Sequence, residues 1–153
     1  MKRFRIALVL LLPLTLLPCL AGEHSFSGQM KQEIKLMIGT PYVWGGESRR
    51  GADCSGAIYY LFKRAGRPFP RMTARKMRAV LCPGPLHHYR LSSLFDLVWW
   101  TFTPDRPFGH VGIMDGDRLH FYQAGVHSGF ARRCFCVPGG YWDRAFAGCG
   151  TWE

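Results

Sequence analysis

The stretch Gly51-Ala52-Asp53-Cys54-Ser55-Gly56 constrains this chain more than any other, because an irregular glycine-bearing approach breaks there into an amphipathic helix. From Cys54 onward, Ala57, Ile58, Leu61, Phe62 and Ala65 share one helical face, Asp53 stands at the N-cap position and Gly66 closes the segment. Cys54 therefore falls in the first turn, where unpaired N–H groups and the positive end of the macrodipole favour thiolate over thiol. Asp53 opposes this, since a neighbouring carboxylate disfavours a second anion unless capping engages its charge. Burial as a small filler is the ordinary fate of a free cysteine, so helix position alone does not establish chemistry.

Upstream, Met30, Ile34, Met37 and Ile38 recur at helical spacing, predicting a helix with Ser27 as N-cap and Gly39 as its end. Gly39-Thr40-Pro41-Tyr42-Val43-Trp44-Gly45-Gly46 follows as a tight loop whose aromatics can wall a cleft. Downstream, Thr73 is expected to cap a short basic helix carrying Met77, Val80 and Leu81, stopped by Cys82-Pro83-Gly84-Pro85. His87 and His88 lie in the next loop and read as solvated. The final third is strand-like over residues 95–102, 110–115 and 118–124, with Gly116-Asp117 as a two-residue hairpin turn. Pairing Asp115 with Arg118 would set His110 opposite Gln123 on one face and turn His120 to the other.

The N-terminus has its own character. Lys2, Arg3 and Arg5 precede an apolar run to Leu17, with small residues at Ala21 and Gly22, so residues 1–21 read as a removed secretory signal. A buried N-terminal helix is one alternative. Another is a lipid-attached Cys19, although Pro18 stands where that cleavage motif needs a small residue. Loss of residues 1–21 removes Lys2, Arg3 and Arg5 from 20 basic residues set against 10 acidic ones, leaving +7. Such a cation accumulates on an anionic partner such as a cell wall, nucleic acid or acidic lipid surface, and charge alone does not choose among them. With neither a run of Lys/Arg alone nor zinc-finger spacing, no nucleic-acid partner is expected.

Export also bears on the five remaining cysteines. With Cys54 free, a bridge between Cys134 and Cys136 across one residue is disfavoured. Cys82 is then expected to pair with one of them and Cys149 with the other. The competing reading is a zinc site from Cys134, Cys136, Cys149 and a histidine such as His127, which lacks the usual Cys-x-x-Cys knuckles.

Cys54, His110 and Gln123 supply, in chain order, a nucleophile, a base and an amide that orients the base, the parts of a cysteine acyl-transfer site. The motifs from Gly39 to Gly46 and from Gly51 to Gly56, with Gly109-His110-Val111-Gly112-Ile113, resemble the NlpC/P60 cell-wall peptidases. The similarity runs over about residues 27–148, including Pro70-Arg71 and Tyr141-Trp142. The resemblance implies a papain-like α+β fold, with N-terminal helices packed on a small antiparallel sheet in a single catalytic domain over residues 22–153. It implies an exported, periplasmic or secreted thiol peptidase acting on peptidoglycan stem peptides, typically at the γ-D-glutamyl bond to the diamino acid. Cys54, His110 and Gln123 match its catalytic positions, and Tyr42, Asp53 and Ser55 match positions that hold substrate. Neither metal nor cofactor is called for, and a monomer is expected. Phe95-Asp96 departs from the Gly-Asp usual in relatives, and Trp99-Trp100 is bulkier than usual. An amidase or interbacterial toxin amidase on the same scaffold, and a non-catalytic envelope-binding protein, are the competing functions.

Overall fold

A computed structural model describes residues 25–152, so the leader expected over residues 1–21 and Cys19 lie outside it. The first helix, α1, spans Phe26–Met37, and its N-cap is Ser25, whose Oγ accepts from Gly28 N at 3.2 Å. The cap thus lies two residues before the expected Ser27, which lets Phe26 enter the helix and pack on Phe62, Phe95 and Trp152. Met30, Ile34 and Met37 are buried as the period requires, whereas Ile38 is 53% exposed as the C-cap residue. A two-strand ribbon of β1 (Glu47–Ser48) and β2 (Gly51–Ala52) leads into α2, Cys54–Arg64. Asp53 caps α2 and Thr73 caps α3, Ala74–Leu81, as the sequence indicates. On α3 Met77 is buried, but Val80 faces solvent.

Five antiparallel strands form the sheet: β3 (Leu97–Trp100), β4 (His110–Met114), β5 (His120–Gly125), β6 (Gly129–Cys134) and β7 (Phe146–Gly150), ordered β6-β5-β4-β3-β7. Strand alternation divides their side chains between two apolar layers. Leu97, Trp99, Val111, Ile113 and Ala124 meet the buried faces of the helices, with α2 at the centre. Val98, Trp100, Met114 and Phe121 form the opposite layer with Tyr89 and Phe135, beside the short helix α4, Tyr141–Arg144. The adjacent tryptophans serve both layers. Trp99 Nε1 donates to Ala74 O at 3.0 Å on the helical side, and Trp100 Nε1 donates to Trp142 O at 3.1 Å on the other. Each indole thereby buries a large ring while satisfying its only donor.

Three local expectations change. The β4–β5 register pairs Ile113 with Tyr122 and Met114 with Phe121, so the connection is the longer loop 116–119. Asp115 N donates to His120 O to close it. Asp117 Oδ1 accepts from Leu119 N and His120 N, while Gly116 and Arg118 take left-handed backbone with φ 84 and 61. This displaces the ladder by two residues, and a slip of two keeps every side chain on its original face. His110 and Gln123 therefore still share a face without standing directly opposite. Second, Phe95 has φ 70, a conformation that glycine adopts without strain, and its ring is buried in the helical layer. Third, Cys134 and Cys136 are bridged to each other, which excludes both expected pairings. The reason is topological: Cys149 lies on edge strand β7, and Cys134 ends the opposite edge strand, β6. Cys82 packs near β7, its Sγ 3.5 Å from Gly150 O.

Candidate active site

The start of α2 is set by backbone packing. A Cβ on Gly56 would lie 1.9 Å from Gly46 O, so only glycine lets the first helical turn approach the loop so closely. That loop and the turn enclose a cleft of about 420 Å³, lined by Tyr42, Trp44, Glu47, Asp53, Cys54 and Arg71, among others. Trp44 is 84% exposed on its rim. Asp53 is buried and heavily engaged. Its Oδ1 accepts from Gly56 N at 2.6 Å, Ser55 Oγ at 2.9 Å and Arg71 Nη2 at 2.8 Å; its Oδ2 accepts from Gly45 N at 2.9 Å and again from Arg71 Nη2 at 2.8 Å. Arg71 also donates to Ser55 Oγ at 2.8 Å and pairs with the half-exposed Glu47 at 3.4 Å. Capping thus engages Asp53, and Arg71 neutralises it. Glu47 and Asp53 against one Arg71 leave this wall one negative charge.

His110 opens β4 on the other side of Cys54. Its ring lies among Trp100 at 5.6 Å, Phe102 at 5.8 Å and Trp142 at 6.1 Å, centroid to centroid. Its Nε2 is 2.9 Å from Gln123 Oε1. The donors around Gln123 point to one tautomer of His110. Ser128 Oγ donates to Gly129 O, so it accepts from Gln123 Nε2, and Gln123 Oε1 is left to face the imidazole. An amide oxygen can only accept, so His110 Nε2 carries hydrogen and Nδ1 keeps the lone pair. Gln123 is 1% exposed, which shields this bond from water. A second cleft of about 550 Å³ opens here, lined by His110, Gln123, Phe102, His127, Arg133 and Tyr141, among others.

Cys54 and His110 meet through the strand backbone. Among the described residues no hydrogen bond joins Cys54 Sγ to the imidazole; the N–H groups of Val111, next to His110, and of Ser55 act on the sulfur. Burial pushes the Cys54 thiol up to about 11, opposed by the Val111 N–H, reinforced by the Asp53 charge, and further opposed by the Ser55 N–H and Arg71. Burial likewise brings His110 down to about 4, although Gln123 and Asp53 favour its charged form. Desolvation of the thiol thus works against the helix-terminus effect that favours thiolate, and desolvation of the imidazole works against its charged form. Tyr42 is raised by burial and then by the nearby Cys54 and Asp53.

The candidate residues thus divide between two clefts: Tyr42, Asp53 and Ser55 line the polar one with Cys54, and His110 and Gln123 line the aromatic one. Sequence reasoning missed the neutralising Arg71, the carboxylate of Glu47, Ser128 behind Gln123, and the ring of aromatics around His110. Arg71 alone had a local signal, in Pro70-Arg71. His87 and His88 stand apart: His87 Nε2 lies 3.1 Å from the buried carboxylate of Asp96, and His88 Nδ1 accepts from Arg90 N. His87 is thus held by a buried partner, whereas His88 is exposed as the sequence suggests.

A thiol on a helix terminus beside an imidazole on an antiparallel sheet, with an amide behind it, defines a papain-like α+β scaffold. The chain belongs to the NlpC/P60 family, whose model matches residues 39–149. It is 32% identical over 135 residues to murein DD-endopeptidase MepH of Escherichia coli K12, covering 84% of this chain and 49% of that protein. It is 31% identical over 115 residues to the probable peptidoglycan endopeptidase LytE of Bacillus subtilis, covering 72% of this chain and 31% of that one. The chain thus spans half or less of the length of these relatives. Among solved structures, it superposes on a lipoprotein-like NLP/P60 protein of Staphylococcus aureus with a TM-score of 0.67 at 23% identity, covering 84% of this chain and 41% of that one. It also superposes on the NlpC/P60 domain of the peptidoglycan hydrolase SagA with a TM-score of 0.54 at 26% identity, covering 69% and 86%.

Proposed function

We propose that the protein is an exported cysteine endopeptidase that hydrolyses peptidoglycan stem peptides, at the γ-D-glutamyl bond to the diamino acid. The observation that carries this reading is that the N–H of Val111, next to His110, acts on the Cys54 sulfur while His110 Nε2 lies 2.9 Å from Gln123 Oε1, which leaves Nδ1 to serve as the base. In the reaction His110 Nδ1 takes the Cys54 proton as Sγ attacks the carbonyl carbon. The imidazolium then protonates the leaving amine, releasing it and leaving a thioester. Water, deprotonated by the same nitrogen, cleaves the thioester and restores the thiol. Proton transfer from thiol to imidazole awaits substrate, since catalytic contacts left loose in a free enzyme tighten when substrate excludes water.

Tyr42, Asp53 and Ser55 line the acyl side of the cleft. The single net negative charge of Glu47, Asp53 and Arg71 suits an amino end of the stem peptide there. The aromatic cleft beyond His110 receives the leaving diamino acid. The chain acts in the periplasm or outside the cell, as a monomer, and its basic surface holds it to the anionic wall. No described helix is long and apolar enough to cross a membrane.

Digestion of defined muropeptides followed by product masses tests the reading, with Cys54→Ala as control. Products split between glutamate and the diamino acid are expected from the wild type alone. A second reading, cleavage of the D,D cross-link between stems, is favoured by the similarity to the DD-endopeptidase over most of the chain. It predicts that cross-linked dimers fall to intact monomers. Release of whole stem peptides would instead indicate an amidase and overturn both readings.

A further inference from the structure

The late cysteines, which take no part in the cleft, meet a histidine that sequence reasoning had set aside. The β5–β6 ladder places His120 directly opposite Cys134. Between the two cysteines Phe135 is buried on the back layer, its ring 4.1 Å from Tyr89 and 4.8 Å from Phe121, and its N–H donates to Leu119 O at 3.0 Å. That anchor sends Cys134 and Cys136 to the other side, toward His120. The ligand atoms of His120, Cys134 and Cys136 lie within 4.8 Å of one another. Donors bound at about 2.0–2.3 Å from a shared ion stand less than about 4 Å apart, so once the two sulfurs are released from each other a small shift would bring all three onto one ion.

The histidine is already oriented for this. Asp117 Oδ2 is 2.6 Å from His120 Nδ1, and the carboxylate is fixed by the Leu119 and His120 N–H groups and by Arg132 Nη2 at 3.0 Å. A carboxylate accepts the Nδ1 proton and leaves Nε2 as a lone-pair donor, the arrangement that commonly backs a metal-bound imidazole. Cys136 is exposed and gives an ion a way in. Cys149 lies at the far edge of the sheet and His127 beside the aromatic cleft, so His120 replaces both in the zinc set suggested by the sequence.

We propose that Cys134, Cys136 and His120 form a redox-gated site for a thiophilic cation of the Zn(II) or Cu(I) type. In the structure the two sulfurs are joined, which is the closed state of the site. A dithiol reductant supplies two electrons and two protons, becomes a disulfide itself, and opens the bond to two thiols. Cation binding then displaces both thiol protons. Two thiolates and an imidazole match the preference of soft cations for sulfur, with a water as fourth ligand for zinc.

The test uses the full chain carrying Cys54→Ala, so that the cleft thiol does not contribute. After phosphine reduction, titration with Zn(II) against a chromophoric chelator should show one equivalent bound with a Kd below about 1 µM. Co(II) should give thiolate charge-transfer absorption in the near ultraviolet. Oxidised protein, 2 Da lighter by intact mass, should bind at least about 100-fold more weakly. His120→Ala should cost about 10–100-fold and Asp117→Asn about tenfold, with circular dichroism confirming the fold. A parallel titration with Cu(I) against bicinchoninate tells which cation is preferred. Absence of stoichiometric binding of either cation by the reduced protein, or binding that survives Cys134→Ser with Cys136→Ser, overturns the proposal.

Discussion

Two clefts, one lined by Cys54 and the other by His110, are of similar size but opposite character. On the thiol side, about 420 Å³ is walled by charge: Glu47, Asp53 and Arg71 with the Ser55 hydroxyl. On the imidazole side, about 550 Å³ is walled by Phe102, Tyr141 and Trp142, with Arg133 and His127 at its border. The difference follows from what each side must hold. A helix terminus brings orphan N–H groups and needs a carboxylate to cap it, and that carboxylate needs a cation once it is buried. A strand end leaves no such orphans, so aromatic rings can pack around His110 and exclude water from its bond to Gln123.

If the comparison describes function, breaking the thiol itself has the largest effect. Cys54→Ala is expected to lower kcat/KM by at least about 10⁴-fold in muropeptide digestion while leaving the fold intact by circular dichroism. Residual cleavage within tenfold of wild type would remove Cys54 from the chemistry. Loss of the orienting amide comes next. Gln123→Ala should cost about 10–100-fold in kcat with little change in KM, because the imidazole loses its fixed tautomer and not its contact with substrate.

The charged wall differs in that its failure would be structural. Arg71→Met leaves the buried Asp53 carboxylate without its cation. An expected loss of about 2–3 kcal/mol in denaturant unfolding allows for the partial exposure of Arg71. Stability unchanged within about 0.5 kcal/mol would mean that solvent already screens the pair.

The pH profile sharpens the contrast in another way. With His110 near 4 and Cys54 near 11, the form with one proton to pass between them dominates throughout that interval. The free-enzyme profile should be flat across neutrality, falling on the acid side as His110 is protonated and on the alkaline side as the thiol ionises. Alkylation of Cys54 by iodoacetamide should rise about tenfold per pH unit from 7 to 10, since only thiolate reacts. A plateau reached by pH 7 would indicate a resting thiolate. Gln123→Glu places an anion beside the imidazole, favours its charged form and should move the acid limb upward by about one unit or more. The smallest effect belongs to the aromatic rim. Tyr141→Ala, truncating a ring that is 61% exposed and stacked 5.0 Å from Phe102, should raise KM about two- to threefold and spare kcat.

Much of the fold was legible because it rests on local periodicity. The buried stripe of α2, the capping by Asp53 and Thr73, and the alternation along β4 and β5 are read within a few residues of the chain. His110 and Gln123 share a face although they are not directly opposite, because face depends on parity and the loop is longer than a two-residue turn by an even number. What was illegible depended on distant partners. Arg71 is eighteen residues from Asp53 and the Cys134–Cys136 bridge lies a whole sheet away from Cys149.

Sequence by itself determined that a thiol would begin a helix, that a histidine and an amide would share a face of a later hairpin, and which family the motifs resemble. Those properties follow from local hydrogen bonding and from the two periods of the backbone. Only the tertiary structure decided the protonation of the pair and the engagement of Asp53. It also decided the contrast between the two clefts and the meeting of His120 with the late cysteines. Burial and charge pairing are set by which segments pack together, and the desolvation they impose on Cys54 works against the dipole of the helix on which it sits.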